Sequence, residues 1–227
     1  MTGVVTWFTD LLAEYGEDIA TSLAETGYMM LVSLLAAVLI GLPLGTIVYL
    51  TERGGLAQNR AINTIANLYI NVVRSFPFLL LAVFLIPFTR LVMGTSFGTQ
   101  AATLPLCVVA VAIYARLTEQ ILREIPRGIP KVAQASGATV PQTVFLMLLP
   151  EARSGLVYAL TSAAISLLSY STVLGVVGGG GIGDFAMRYG YQEYNDSLMY
   201  FVIVIIIVCV LAIQAIGHRT SVRLDHR

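Results

Sequence analysis

The sequence predicts an all-α integral membrane protein, with five transmembrane helices preceded by an N-terminal interfacial helix. Three observations carry that prediction. Hydrophobic residues fill 57% of the 227 positions and charged residues only 11%, where a soluble domain carries about 25% charged. Mean hydropathy is +0.81, and the apolar residues are massed in several runs of roughly twenty, the length that crosses a bilayer. The basic residues collect in alternate connections between those runs. The length leaves room for five or six crossings and for no soluble catalytic domain.

Residues 1–24 read as an amphipathic surface segment. Val4, Trp7, Phe8, Leu11, Leu12 and Tyr15 fall on one helical face, with Asp10, Glu14, Glu17 and Asp18 around the rest. No basic start or massed apolar core marks a signal peptide. The first span is predicted at 28–50. Gly41, Pro43 and Gly45 interrupt its second half, and close helix packing accounts for the glycines. A short polar turn follows at 51–60.

The second span is predicted at 64–88. Asn63, Asn67, Asn71 and Arg74 recur every three or four residues and share a face. A polar stripe on a spanning helix faces the bundle interior or a partner. Pro77 bends the helix just beyond Arg74. That arginine either serves a translocation pathway or snorkels and caps broken backbone. The third span is predicted at 101–117, after a short loop holding Arg90. A fourth, at 155–177, carries Ser162, Ser166, Ser169 and Thr172 along one face, with Tyr170 and Ser171 beside them. Small hydroxyl residues favour helix contact and cross-helix hydrogen bonds; with Tyr170 they are also a candidate pathway lining. Residues 178–184 read GGGGIGD. The formal G-x-G-x-x-G match has no flanking strand and no βαβ context, so a turn at the membrane edge is the better reading. Tyr189, Tyr191, Tyr194 and Tyr200 form an aromatic belt. The fifth span is predicted at 198–216, before a basic tail at 217–227.

Residues 118–154 are too polar for hydrocarbon and are punctuated by Pro130, Pro141 and Pro150. They form a long loop at one membrane face, organised for docking by the small residues Ala133, Ala135, Gly137 and Ala138. Five spans put this loop and the C-terminus on one side. That side holds Arg53, Arg60, Arg116, Arg123, Arg127, Lys131, Arg153, Arg219, Arg223 and Arg227; the other holds Arg90 and Arg188. The positive-inside rule then sets the loop and C-terminus in the cytoplasm and the N-terminus outside.

Cys107 and Cys209 sit in apolar runs as small hydrophobes, and His218 and His226 lie in the tail, so no metal site is predicted. No catalytic residues are predicted either. The single lysine, Lys131, precedes Val132, so the chain has no phosphate-binding P-loop. If ATP drives this protein, a partner hydrolyses it. As drawn, spans two to five contain no acidic residue for ion coupling, and no internal repeat is evident. Both points count against a secondary transporter.

The 118–154 loop resembles the cytoplasmic loop of binding-protein-dependent ABC importer permeases, patterned E-A-A-x-x-x-G, nine residues, then I-x-L-P. Lys131-Val132-Ala133 stands at E-A-A, Gly137 at the glycine, and Met147-Leu148-Leu149-Pro150 at I-x-L-P. The spacing is kept, while the glutamate and first alanine are replaced. Beyond the loop, the chain is similar to the permeases of the methionine importer family. The stretches that carry this likeness are RSFPFLLLAVFLIPFTR (74–90), GTSFGTQAA (94–102), ARLTEQILREIPRGI (115–129), LLPEARSGLV (148–157), SYSTVLGVVGGGGIG (169–183) and YGYQEYND (189–196).

The resemblance implies a type I ABC importer permease fold over residues 25–216, in a bacterial inner membrane. It implies a homodimer that docks two ATP-binding cassette subunits and receives substrate from an extracytoplasmic methionine-binding lipoprotein. The substrate would be L-methionine, and often D-methionine or derivatives. ATP and Mg would be bound by the ATPase partner, with no cofactor in this chain. Membrane lipid is its medium, and no nucleic acid is involved. The coupling loop would use Lys131, Val132, Ala133, Gly137, Leu149 and Pro150. Candidate pathway residues are Arg74, Ser169, Tyr170 and Ser171. Two alternatives remain at this point. One is the same architecture importing another amino acid or a quaternary-ammonium osmoprotectant; the other is a secondary transporter without an ATPase.

Overall fold

A computed structural model describes residues 2–126 and 128–225. Arg127, His226 and Arg227 lie outside the described residues, as do the side chains of Val4, Trp7, Phe8 and Asp10. The described chain is helical and connected by short turns. Its helices are α1 (Thr2–Ala36), α2 (Leu42–Thr51), α3 (Arg60–Ser75), α4 (Phe78–Phe84), α5 (Ile86–Met93), α6 (Thr99–Glu124), α7 (Gly128–Ala135), α8 (Val140–Thr143), α9 (Leu149–Val176), α10 (Gly181–Phe185) and α11 (Asp196–Leu224). Four continuous helical stretches are long and apolar enough to cross a membrane: Leu11–Thr51, Thr99–Glu124, Val140–Val176 and Asp196–Leu224. Helices α3 and α4 are apolar and long enough only as a pair, bent by 109° at their break; counted as one broken span they bring the candidates to five.

That bend falls at Pro77, as the sequence predicts. Phe76, immediately before the proline, is extended (φ −74°, ψ 132°), because the proline ring disfavours helical geometry in the preceding residue. Pro43 and Pro150 are handled differently. A proline ring strikes the carbonyl four residues back in a regular helix. Those residues, Leu39 and Leu146, both lie in π-helical turns, at Ala37–Gly41 and Val144–Leu148. There the hydrogen bonds reach back five residues, from Leu42 N–H to Ala37 O and from Leu149 N–H to Val144 O. The helix therefore passes each proline without a break.

Several expected boundaries move. The apolar runs end near 117 and begin near 155, but α6 continues to Glu124 and the fourth spanning helix starts at Val140. The connection is therefore only 125–139, and half of it is α7. The helix α1 runs unbroken from Thr2 to Ala36, and from it Leu11, Tyr15 and Ile19 pack into the core of the first unit.

The chain divides into two compact units. The first comprises Met1–Ser33, Pro77–Leu106 and Ile165–Ala212. Its core joins Leu11 and Ile19 of α1 to Ile182 and Phe185 of α10 and Leu198, Phe201 and Val202 of α11. Tyr15, Phe185 and Tyr189 pack edge-on and tilted, with centroids 4.9–6.3 Å apart. Tyr189 thus belongs to a core, while Tyr191, Tyr194 and Tyr200 stay exposed, as an aromatic belt requires. The glycine-rich turn is clasped by α1: Gly181 N–H donates to Glu25 Oε2 (2.6 Å) and Ile182 N–H to Thr26 Oγ1 (2.9 Å).

The second unit comprises Leu34–Phe76, Cys107–Ala164 and Ile213–Arg227. Here α2 lies directly on α6. A Cβ added at Gly45 would stand 2.2 Å from the Ala115 carbonyl oxygen, so the expected packing role of that glycine holds. One core cluster gathers Leu50, Leu122, Ile125, Val144, Leu148, Ala152 and Leu156. The end of α11 is tied to α9 by Ser154–Ser221 hydrogen bonds and by Arg153 Nε donating to Leu224 O (3.2 Å).

Candidate functional site

The segment between α6 and α8 is built by local rules. Helix α7 ends in a paired-bond left-handed cap. Ala138 N–H donates to Ala133 O (3.0 Å), and Gly137 N–H donates to Gln134 O (3.1 Å). Gly137 sits at φ +74°, a conformation that favours glycine. Two residues later Thr139 opens the next helix with a reciprocal capping box: Gln142 N–H donates to Thr139 Oγ1 (3.5 Å) and Thr139 N–H to Gln142 Oε1 (2.8 Å). Stop and start signals two residues apart end α7 and begin α8.

The coupling residues predicted from sequence divide by face. Lys131 and Val132 are exposed, Val132 by 61%. Ala133 is 0% exposed and packs into its own unit. That corrects the expectation that Ala133 is a seat for a partner: its small size lets α7 lie on the helix 144–148, and a bulky replacement disturbs the unit itself. Leu149 is half-buried and Pro150 exposed, both opening α9. Beside α7 runs an open, mainly apolar groove of about 620 Å³, walled by Ile129, Val132, Leu146, Met147 and Pro150. Phe145 and Leu146 expose 69% and 71% at its edge.

Behind this surface lies a charge network that sequence reasoning missed. Glu119 of α6 is only 1% exposed and bridges two arginines. Arg116 Nη1 donates to Glu119 Oε2, while Arg123 Nη2 stands 2.7 Å from Glu119 Oε1 as an ion pair without hydrogen-bond alignment. Arg116 Nη2 donates to Asn67 Oδ1 (3.1 Å) and Asn71 Oδ1 (2.6 Å). Arg123 Nη2 also donates to Glu52 Oε2 (2.7 Å). Asn67 donates to Asn63, and Asn63 to Val48 O (2.9 Å) and Thr51 Oγ1 (3.2 Å). The asparagine stripe runs from half-buried Asn63 and Asn67 to exposed Asn71, and what it meets is Arg116. Arg74, on the same helix, is exposed. Because α6 runs on to Glu124, a buried acid does lie in the third spanning helix. Two arginine partners engage it in a structural bridge.

Ser169, Tyr170 and Ser171 are adjacent in α9, in the first unit, and Arg74 ends α3, in the second. The hydroxyls turn back on their own helix rather than across to another: Ser169 donates to Ile165 O (3.3 Å), Ser171 to Leu168 O (2.7 Å) and Thr172 to Ser169 O (2.7 Å). Tyr170 stacks on Phe78, with centroids 4.5 Å apart and planes 27° apart. Ser171 is buried, while Ser169 and Ser162 are exposed.

Long apolar helices, a broken span and a capped polar segment define a membrane permease subunit. Residues 41–227 match the family described as binding-protein-dependent transport system inner membrane component, and the chain belongs to that family. It is 41% identical over 211 residues to the probable D-methionine transport system permease protein MetI of Pasteurella multocida, covering 93% of this chain and 97% of that one. It is 38% identical over 181 residues to the methionine import system permease protein MetP of Bacillus subtilis, covering 80% and 82%. Among solved structures, it is similar to an inward-facing MetNI methionine ABC transporter in its CY5 native crystal form. The TM-score is 0.89 and the identity 40%, with 92% of this chain and 96% of that chain covered.

Proposed function

We propose that this chain is the non-catalytic permease of an ATP-driven methionine importer of the bacterial inner membrane, accepting L-methionine and D-methionine or derivatives. It works as a homodimer with two ATP-binding cassette subunits and an extracytoplasmic methionine-binding lipoprotein. ATP and Mg belong to the ATPase subunits. The N-terminus is outside; the 125–139 connection and the C-terminus are cytoplasmic, as the distribution of arginine supports.

The observation that carries this reading is the surface formed by α7 and its groove. A short helix, closed at its C-terminal end by the Gly137 cap, presents Lys131 and Val132 beside exposed apolar side chains. Such a helix transmits a push through that capped end to the helix 140–176. When the ATPase subunits close, α7 follows, and α6 and the helix 140–176 tilt with it. Coupling requires ATP to favour one conformation and the loaded binding protein to discriminate between the two. Specificity rests with the binding protein, since the hydroxyls of Ser162, Ser169, Ser171 and Thr172 are bonded back to their own helix. Methionine's thioether needs only apolar or aromatic wall, which Phe78 and Tyr170 supply.

The test is uptake of labelled methionine by proteoliposomes holding this chain, its co-encoded ATPase and its binding protein. Uptake that needs all three and is blocked only by methionine-like competitors is the expected result. Uptake without the ATPase would overturn the importer reading. ATP-dependent uptake of betaine in preference to methionine would overturn the substrate and keep the machine.

A further inference from the structure

A second concavity lies on the other side of α7 from the apolar groove, and its chemistry is opposite. It encloses about 540 Å³ between the end of α2, the turn at 52–56, the end of α6 and α7. Three cations line it, Arg53, Arg123 and Lys131, against one carboxylate, Glu52. The carboxylate is already engaged, since Glu52 pairs with Arg123 at 2.7 Å. Arg123 is held from behind by Glu119 as well. Arg53 and Lys131 have no ion pair among the described residues. They approach the same space from two elements, one from the turn after α2 and one from α7. Like charges brought to one concavity repel, and among the described residues no carboxylate is paired with either.

We propose that this cavity is a binding site for a phosphate group, carried by an anionic inner-leaflet phospholipid or by a small soluble phosphate. Phosphate oxygens accept several charge-assisted hydrogen bonds at once, and guanidinium forks match them in pairs. The volume lies within the usual range for small-molecule sites and exceeds what one phosphate fills. The remaining wall is half-buried Tyr49 with Leu56 and Ile125, which suits a glycerol or an acyl start. Basic pockets between spanning helices on the cytoplasmic side take lipid headgroups for these reasons. An occupant bridging Arg53 and Lys131 would join the turn after α2 to α7, stiffening the element that moves.

The experiment uses the assembled complex with its ATPase and reads binding, not uptake, so its failure is distinct from failure of the import reading. One arm reconstitutes the complex in phosphatidylcholine vesicles doped with phosphatidylglycerol and counts retained phosphatidylglycerol by native mass spectrometry. The other measures equilibrium binding of labelled inorganic phosphate in detergent. The variants are Arg53→Gln, Lys131→Gln and the double replacement, with Lys131→Arg as the conservative form and Arg60→Gln, outside the cavity, as control. Circular dichroism confirms that each folds. The double variant is expected to bind about tenfold or more weakly in one arm, with Lys131→Arg and Arg60→Gln unchanged. Loss in the first arm identifies the lipid, and loss in the second a soluble phosphate. Equal binding by native and double variant in both arms overturns the proposal. So does a double variant that keeps its phosphate and lipid but loses the ATPase, because the occupant is then an acidic side chain of that partner.

Discussion

The two compact units solve the same problem by different physics. The first is closed by backbone. Its glycine turn brings Gly181 and Ile182 N–H onto Glu25 and Thr26, Gly98 N–H meets Gly178 O at 2.9 Å, and a Cβ at Gly183 would stand 2.4 Å from Thr172 O. The second adds to its own close contact at Gly45 a charge network, Glu119 with its two arginines and three asparagines. Backbone closure is set by sterics, so it tolerates almost no change of volume. Charge closure is set by balance, so it tolerates a change of shape but not the loss of one sign.

The largest effect should therefore come from volume in the first unit. Gly183→Leu is expected to cost more than about 4 kcal/mol and to prevent accumulation of folded protein. Fluorescence-detected size exclusion reads this directly, and a monodisperse peak at native yield would break the steric half of the comparison. In the second unit, Glu119→Ala leaves two arginines facing each other. The expected loss is about 2–3 kcal/mol, at or below the low end for a broken buried pair because Arg123 is 51% exposed. Chemical denaturation measures it. Replacing both partners, Glu119→Leu with Arg116→Met, should recover most of that loss; a double variant as weak as the single would mean that shape matters there too.

Smaller effects sharpen the contrast. Glu25→Ala strands the Gly181 N–H and should cost about 2 kcal/mol, with Glu25→Gln recovering about half because an amide oxygen still accepts. Thermal melts of the three proteins would decide. Gly137→Ala puts a Cβ on a left-handed residue that has open space around it, so only backbone strain is charged, about 1 kcal/mol. Its melt should barely move, while ATP-dependent uptake should fall several-fold as the cap of α7 loosens. Unchanged uptake would remove α7 from the coupling role.

Much of this was legible in the sequence. The apolar runs marked every spanning helix, Pro77 marked the break, and the four-residue spacing of Asn63, Asn67 and Asn71 announced a shared polar face. Helix ends were not legible, because hydropathy reports where the membrane stops and not where the helix stops. Arg116, Glu119 and Arg123 continue α6 through polar sequence by pairing at i, i+3 and i+4. That spacing was the available signal for the missed network. Residue type says nothing about facing: Ala133 turns into its own unit, and the hydroxyls of Ser162, Ser169, Ser171 and Thr172 return to their own backbone.

The π-helical turns ahead of Pro43 and Pro150 have a consequence for any wheel drawn through this chain. Each admits one residue more than a regular turn, so everything beyond it is advanced by about 100° around the axis. A stripe counted from α8 into α9 at 3.6 residues per turn will name the wrong neighbours from Leu149 onward. The same surplus is a spare tooth in the gear between α7 and the fourth spanning helix. Deleting one residue within 144–148 would restore the regular count, rotate Ser169 and Tyr170 by that angle against a fixed α7, and test how tightly the phase of that helix is bound to its work.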